Sequence, residues 1–324
     1  MLKCIVPLAR GGGYNKGKNR TPYLLSIAGK PLLGHLVDQL LPLKPEEVIF
    51  ILDRDDKGLM QYVQDNYSFK VRFILQKRSK GSAHAIYGAK DLVDGELVIL
   101  FGDTFFEADL SRLPSSDAAS IIWTYKVERP ADLGVVFLDG DRATKLIEKP
   151  DSLVSNQAMI GLYYFKHSST LFNSIEYLLE HDIKTKGSFH LTDAVQLMVN
   201  KKKRVKVRVA KDWIDADHGD GLFALNAKLL SEQAKVLGKT DNCVLIKPVH
   251  VAKGAVVRDS VLGPHVSVGE SSEVVGSVLR DAVVCVDARV SDAGLSHSVV
   301  ATGAFVKGSL RRVNLDERTG VRLD

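Results

Sequence analysis

The sequence predicts an α/β fold, a doubly wound and mostly parallel sheet, followed by a left-handed parallel β-helix. Three observations predict it. Between residues 4 and 101 short apolar runs alternate with segments of helical spacing, the pattern of successive βαβ units. A glycine-rich, basic stretch over residues 8–31 joins the first apolar run to the first helical segment. Beyond about Asn242 small apolar residues recur near every sixth place instead. The expected domains are residues 1–240 and 241–324.

Taken in order, Cys4-Ile5-Val6-Pro7 is a buried first strand, and Leu32, Leu33, Leu36, Val37 and Leu40 stand at helical spacing. Residues 48–52 are continuously apolar, as suits a strand covered on both faces. Leu59, Met60 and Val63 mark a helix, 71–75 a strand, Ala83, Ile86 and Ala89 a helix, and 97–101 a strand running into Gly102-Asp103-Thr104. From Ala119 strands become more frequent, at 121–125, 134–138, 145–149 and 159–165, before helices over 170–179 and 190–199. This second half is built to hold a second ligand against the first. Residues 219–237 then predict a helix leading out.

In the last part Ser260-Val261-Leu262 recurs 17 residues on as Ser277-Val278-Leu279, and Ser298-Val299-Val300 echoes it after 21 more. Val251 and Val257, or Val268 and Val274, carry the six-residue beat, with Gly or Asp at neighbouring corners. Three hexads make one turn of a left-handed β-helix. A β-sandwich would alternate over longer runs and lack that beat. The solenoid leaves an edge at its last coil for a partner subunit or residues 311–324 to cover, so self-association is expected.

At 324 residues, 45% hydrophobic and 26% charged, the chain has the composition of a soluble globular protein. No apolar run approaches the roughly 20 residues that cross a bilayer, and the N-terminus lacks a signal-peptide pattern, so no membrane partner and a cytoplasmic location are expected. The net charge of +5 is modest, and the basic run Lys201-Lys202-Lys203-Arg204 sits in a turn with no aromatic platform, which argues against a nucleic-acid partner. A small, multiply charged anion suits the balance better. Cys4, Cys243 and Cys285 are widely separated with no CxxC pair, so buried reduced thiols are expected rather than a zinc site or disulfides.

Gly11, Gly12 and Gly13 lack a Cβ, so the first strand-to-helix turn can bring backbone N–H groups against a phosphate chain, and Lys16, Lys18 and Arg20 add positive charge there. Ligands of open α/β sheets sit beyond the carboxyl ends of the strands. Asp103 follows an apolar strand at that edge, and Asp215, in Trp213-Ile214-Asp215-Ala216-Asp217, offers a second carboxylate. Two hard carboxylates meeting phosphate oxygens form the donor set that Mg²⁺ favours.

Leu8-Ala9 through Gly13 with Gly29-Lys30-Pro31, Gln76 with Gly81-Ser82-Ala83-His84-Ala85, Gly102-Asp103, Glu148-Lys149-Pro150, Ser155-Asn156 with Gly161-Leu162-Tyr163, Leu191-Thr192-Asp193 and Trp213-Ile214-Asp215 together resemble the ordered motifs of the sugar-1-phosphate nucleotidyltransferases. The resemblance covers the whole chain. It implies that residues 1–240 form a Rossmann-like nucleotidyltransferase domain, and that a sugar 1-phosphate attacks the α-phosphate of a nucleoside triphosphate, releasing pyrophosphate and giving an NDP-sugar. It further implies Leu8, Ala9, Gly11, Gly12, Gly13, Gln76, Gly81, Ser82, Gly102 and Asp103 as nucleotide-binding, with Gln76 and Gly81 at the base edge. Asp103 and Asp215 would hold Mg²⁺, Lys149 would meet the sugar phosphate, and Gly134, Glu148, Asn156 and Tyr163 would line the sugar site. The attacking oxygen is already anionic, so no catalytic base is required.

The sequence departs from the family pattern in the first loop. Tyr14-Asn15 stands where Thr-Arg is usual and Thr21-Pro22 where Pro-Lys is usual, and Ser188 takes the place of an acidic residue. Either Lys16, Lys18 and Arg20, with Arg10, supply the charge from new positions and act with Lys149 as the catalytic residues, or the chain is a catalytically impaired homologue that binds NDP-sugar and regulates or scaffolds a partner. An acyltransferase, with His265 or His297 as base, is a third reading.

Overall fold

The computed structural model describes residues 1–8, 22–53, 55–76, 80–110, 113, 118–128, 130, 132–217 and 220–308. It divides into two compact units, Met1–Leu24 with Pro31–Leu222, and Leu25–Lys30 with Phe223–Asp324. The expected boundary at 240/241 falls after the last helix, whereas the units divide two residues inside it, between Leu222 and Phe223.

In chain order the elements before that boundary are β1 (Leu2–Leu8), β2 (Ser26–Ile27), β3 (Lys30–Pro31), α1 (Leu32–Asp38), β4 (Glu47–Leu52), α2 (Lys57–Asn66), β5 (Lys70–Leu75), α3 (Ser82–Tyr87) and β6 (Glu96–Leu100). There follow β7 (Thr104–Glu107), β8 (Ser120–Lys126), β9 (Val135–Asp139), β10 (Arg142–Ile147), β11 (Gln157–Phe165), α4 (Ser168–Glu180), α5 (Leu191–Asn200), β12 (Val205–Val209), β13 (Asp212–Asp215) and α6 (Gly221–Gln233). Nine strands form one sheet in the order β5-β4-β1-β6-β11-β8-β12-β10-β9. The first four are mutually parallel, with Leu8, Leu52 and Leu75 in register at their carboxyl ends. Beyond them antiparallel β11 joins β6 to β8, β12 runs parallel to β8, and β10 and β9 close the edge.

Successive strand residues point to opposite faces. Ile5, Ile49, Ile51, Leu97 and Ile99 therefore share the face where Ala83, Ile86, Phe172, Ile175, Val195 and Met198 of α3, α4 and α5 form one buried cluster. The alternate residues Cys4, Val6, Val48, Phe50, Val98 and Leu100 are equally buried, as are Leu33, Leu36, Val37, Leu59 and Val63 of α1 and α2. Both faces are covered, which is why β4 is apolar at every position but its first. That first residue, Glu47, is 1% exposed. It accepts from Arg72 Nε at 2.9 Å and lies 3.6 Å from both Lys3 and Lys70.

The second unit is a parallel β-helix. Val244, Val261 and Val278 stack coil upon coil, as do Val249 with Val266 and Val257 with Val274. The 17-residue repeat is thus the coil length, and the six-residue beat carries Val251 and Val257 onto successive faces. The echo at Ser298-Val299-Val300 has another meaning. Val278 stacks on Gly294, whereas Ser298, Val299 and Val300 stack on Ala282, Val283 and Val284. The motif recurs on the next face of the coil, because a three-residue pattern of serine and valine suits any face. Its inner column of Val251, Val257, Val268, Val274, Leu279 and Ala288 is fully buried.

Helix α6 belongs to this unit from Phe223 onward. Asn226, 1% exposed, donates to His265 O at 3.0 Å and accepts from Ser267 Oγ at 2.6 Å, and Ser267 Oγ in turn accepts from Ala28 N–H at 3.0 Å. A buried amide satisfied in this way holds the helix to the coils. Of the cysteines, Cys4 and Cys285 are buried and free, and burial pushes the Cys285 thiol up to about 11. Cys243 departs from expectation in being only partly buried. Among the described residues no helix is long and apolar enough to cross a membrane.

Burial pushes the Glu47 carboxyl up, but the Arg72 hydrogen bond and the charges of Arg72, Lys70 and Lys3 outweigh it and hold the group below its ordinary value. A carboxylate depressed in the native state stabilises above its unfolded pKa, and the stabilisation disappears as pH falls through the folded value. Glu47→Gln is therefore expected to lower the unfolding free energy by at least ~1 kcal/mol at pH 7. In denaturant titrations the difference should shrink below about pH 4; a gap constant from pH 3 to 8 would refute the assignment.

Candidate functional site

Four parallel strands deliver their last residues to one edge, and Asp53, Gln76 and Asp103 leave from it. The segment 101–104 is fixed from both sides. Phe101 N–H donates to Gly161 O at 3.0 Å, Gly102 N–H to Pro7 O at 3.2 Å, and Thr104 Oγ1 to Ile160 O at 2.7 Å. At Gly102 a Cβ would stand 2.6 Å from Leu8 Cδ2 and 2.8 Å from Tyr23 Oη, so any other residue there displaces one of those side chains.

Strand β7 then pairs antiparallel with β13, and the register sets Thr104 opposite Asp215, while Ala216 N–H donates to Asp103 O at 2.9 Å. The ladder brings the two predicted acids together. Burial first, and the Asp215 carboxylate second, push Asp103 up to about 7, with Asp217 adding to the rise. One Asp215 oxygen accepts from Asp217 N–H at 3.0 Å. The phenol of Tyr23 is raised well above its ordinary value by burial and by the charges of Asp103, Asp217 and Asp53, so it faces this acidic group. Tyr23 was not legible in the sequence; its only signal is its place directly after Thr21-Pro22.

Among the described residues no set of three or more His, Cys, Asp or Glu side chains is arranged as a metal cage. Mg²⁺ asks for less, because it binds through one or two carboxylates, several waters and substrate phosphates. The donor set at Asp103 and Asp215 fits that requirement: two hard anionic ligands, the second of which raises the first.

A second cluster forms across β11. Glu148, in the turn after β10, accepts from Thr192 Oγ1 at 2.5 Å and lies 3.3 Å from His190 Nδ1, with its side chain 10% exposed. A Cβ at Gly134 would come within 3.0 Å of both Glu148 Oε2 and Thr192 Oγ1. Lys149 adopts φ +43°, a costly region for a side-chain-bearing residue, and its N–H donates to Leu133 O at 3.2 Å. Tyr163 is buried, its phenol raised by burial and by the charges of Glu148 and Asp103, so its ring lies between the two clusters. Asn156 is exposed, and its carbonyl accepts from Val127 N–H at 3.0 Å. Thr192, inside the quoted Leu191-Thr192-Asp193 motif, and His190, just before it, acquire their role only through contact with Glu148.

On the remaining side, Gln76 continues the ladder through its N–H to Leu52 O at 2.7 Å, and its amide nitrogen lies 3.0 Å from His84 Nδ1. Gly81 adopts φ +114°, and a Cβ there would stand 2.2 Å from Phe189 O. The Ser82 hydroxyl accepts from Leu191 N–H at 3.0 Å. In this structure both residues join α3 to the start of α5. Ala9, Arg10, Gly11, Gly12, Gly13, Lys16, Lys18 and Arg20 lie outside the described residues.

Residues 17–232 match the nucleotidyl transferase family. The chain is 27% identical over 292 residues to the bifunctional protein GlmU of Methanococcus maripaludis, covering 81% of this chain and 69% of that one. It is 28% identical over 316 residues to the low-salt glycan biosynthesis nucleotidyltransferase Agl11 of Haloferax volcanii, covering 87% of each. In fold it is similar to a crystal structure of a putative glucose-1-phosphate thymidylyltransferase from Bacillus anthracis in complex with a sucrose, with a TM-score of 0.61, 20% identity, and 74% of this chain and 98% of that chain covered.

Two outcomes test this geometry. A carboxyl raised in the native state keeps its proton where the unfolded chain has lost it, so stability falls as pH rises from about 4 towards about 7 and levels off above. Asp103→Asn removes that slope in metal-free buffer, and thermal unfolding should show the variant gaining on the parent across this window; parallel profiles would refute the placement. Gly81→Ala should lose about 3 kcal/mol or more, from strained backbone and the clash with Phe189 O, whereas an unchanged denaturant midpoint would mean that α3 and α5 are not joined there.

Proposed function

The chain belongs to the nucleotidyl transferase family, and from that premise we propose that it transfers a nucleoside monophosphate from a nucleoside triphosphate to a sugar 1-phosphate. An oxygen of the sugar phosphate bonds to the α-phosphorus. The bond from that phosphorus to the β-bridging oxygen breaks, and pyrophosphate leaves with the electron pair. The observation that carries the reading is the meeting of Asp103 and Asp215 at the carboxyl edge of four parallel strands. The names of the relatives, which include a glycan-biosynthesis nucleotidyltransferase, support the same class of reaction.

The nucleophile carries its own charge, so catalysis rests on positioning and electrostatics. Asp103 and Asp215 would hold Mg²⁺, which when bound supplies compensating charge for the phosphates and orients the leaving group. Glu148 keeps lone pairs free beyond those facing Thr192 and His190, and these accept from sugar hydroxyls. Tyr163 walls the sugar side, Lys149 contacts the sugar phosphate, and Gln76 at the end of β5 meets the nucleobase. Ser82, Gly134 and Asn156 flank the ligands, and the glycine loop with Lys16, Lys18 and Arg20 receives the triphosphate. The reading includes a nucleotidyl-transfer part and a β-helix part, a cytoplasmic location and self-association. Val244 and Val278, stacked on one face of the coils and 58% and 57% exposed, support the last.

Thr21-Pro22, in place of a Pro-Lys pair, favours a second reading: an NDP-sugar-binding homologue without turnover. Pyrophosphate release separates the two. With magnesium, the nucleoside triphosphates and a panel of sugar 1-phosphates, steady release is expected, and Asp103→Ala or Asp215→Ala should cut kcat by roughly 10²–10³. Binding of NDP-sugar with no release from any pair would establish the second reading instead.

A further inference from the structure

The ladder that brings Asp103 to Asp215 is supported on its open side by one glutamine. Among the described residues β7 and β13 pair with each other and with no third strand, and a two-stranded ribbon is marginal by itself. In an antiparallel pair alternate residues turn both backbone groups towards the partner strand, and the residues between turn theirs away. Asp103 O accepts from Ala216 N–H, so Thr104 and Phe106 present their groups to the open edge. There the side chain of Gln39, the residue that caps the carboxyl end of α1, meets both. Its Nε2 donates to Thr104 O at 3.1 Å, and its Oε1 accepts from Phe106 N–H at 2.8 Å. Nε2 also lies 3.4 Å from Leu36 O. A carbonyl only accepts and a backbone N–H only donates, so the amide has one orientation and meets the edge as a residue of a third strand would. Leu36, Val37 and Leu40 around it are fully buried, which fixes the end of α1.

We infer that Gln39 is a positioning residue for the metal-holding pair: it ties the ribbon to α1 and so fixes where β13 presents Asp215. The inference rests on the reading, proposed above, that Asp103 and Asp215 hold Mg²⁺. One side of the pair is placed without Gln39, because the 101–104 segment is bonded to β1 and β11. The other side depends on the ribbon. Asp215 stands at the end of β13, whose ladder is to β7. A ribbon held at 101–104 alone can swing about that segment and carry Asp215 with it. Bonds from Gln39 at Thr104 and again at Phe106 block the swing. The two acids repel each other, so the restraint acts against the motion that their charges favour.

The test compares Mn²⁺ binding to the full chain, followed through the electron paramagnetic resonance of the free ion, since Mn²⁺ takes the same oxygen donors as Mg²⁺. Binding requires no turnover. Asp103→Asn identifies the site: the binding that it abolishes is the binding compared. Gln39→Met, close in length and volume but without the amide, is expected to raise that dissociation constant roughly 10-fold, as loss of an outer partner of a metal ligand does. Gln39→Asn keeps the amide but falls one methylene short of the edge; it should weaken binding too, and serves if the methionine variant does not fold. Glu47→Gln is the control for lost stability, because Glu47 stands at the amino end of β4, opposite the site. It should leave the constant unchanged. A constant unchanged in the Gln39 variants, or raised as far in Glu47→Gln, overturns the inference and leaves the metal reading in place. Mn²⁺ binding indifferent to Asp103→Asn overturns the metal reading itself, and the inference with it.

Discussion

Two carboxylates that repel each other are held side by side by a short antiparallel ladder, and the rest of the site is arranged around that tension. Asp103 would separate from Asp215 if either segment were free. Neither is, because β7 pairs with β13 and the 101–104 segment is bonded to β1 and β11. A rise from 3.8 to about 7 corresponds to about 4 kcal/mol against the ionised form of Asp103. The sheet can impose such a cost because both its faces are buried. A pair of acids strained in this way is poised for a cation, and the phosphates of a nucleotide are poised to share that cation.

A second constraint joins the parts that would meet the two substrates. The start of α5 touches both. Leu191 N–H is bonded to Ser82 at the entry of α3, and Thr192 on the next residue is bonded to Glu148. Gly81 and Gly134 make these approaches possible, each by lacking the atom that would collide with its neighbour. The glycines of the motifs thus act on packing in the described structure, and Ser82 spends its hydroxyl on the same junction. The positive φ of Lys149 belongs to this group too, as a backbone strain held by its bond to Leu133.

The β-helix follows a simpler rule. Its inner column needs small apolar side chains at every face, and its coil length is set by where chain neighbours stack. Local similarity of sequence cannot tell one face from the next, which is why a serine–valine triplet proved to be the wrong ruler for the last coil. The helix α6 illustrates the converse. Its assignment to the coils is decided by a buried asparagine that donates to His265 and accepts from Ser267, and no periodicity announces such a residue.

The α/β class, the parallel order of the first strands, the coil repeat and the candidacy of Asp103 and Asp215 were all determined by the sequence, because each depends on local pattern. A continuous apolar run must be covered on both faces, and an acid just beyond it has no local partner. What joins to what was decided by tertiary structure alone. Tyr23 enters the acidic cluster because Gly102 leaves room for its phenol, and Thr192 and His190 matter only because Glu148 reaches them from the turn after β10. Likewise His84 is one more residue of a short helix until the end of β5 brings an amide nitrogen to its ring. Contacts between distant segments carry no signature in either segment, since proximity is a property of the folded chain and residue type alone does not encode it.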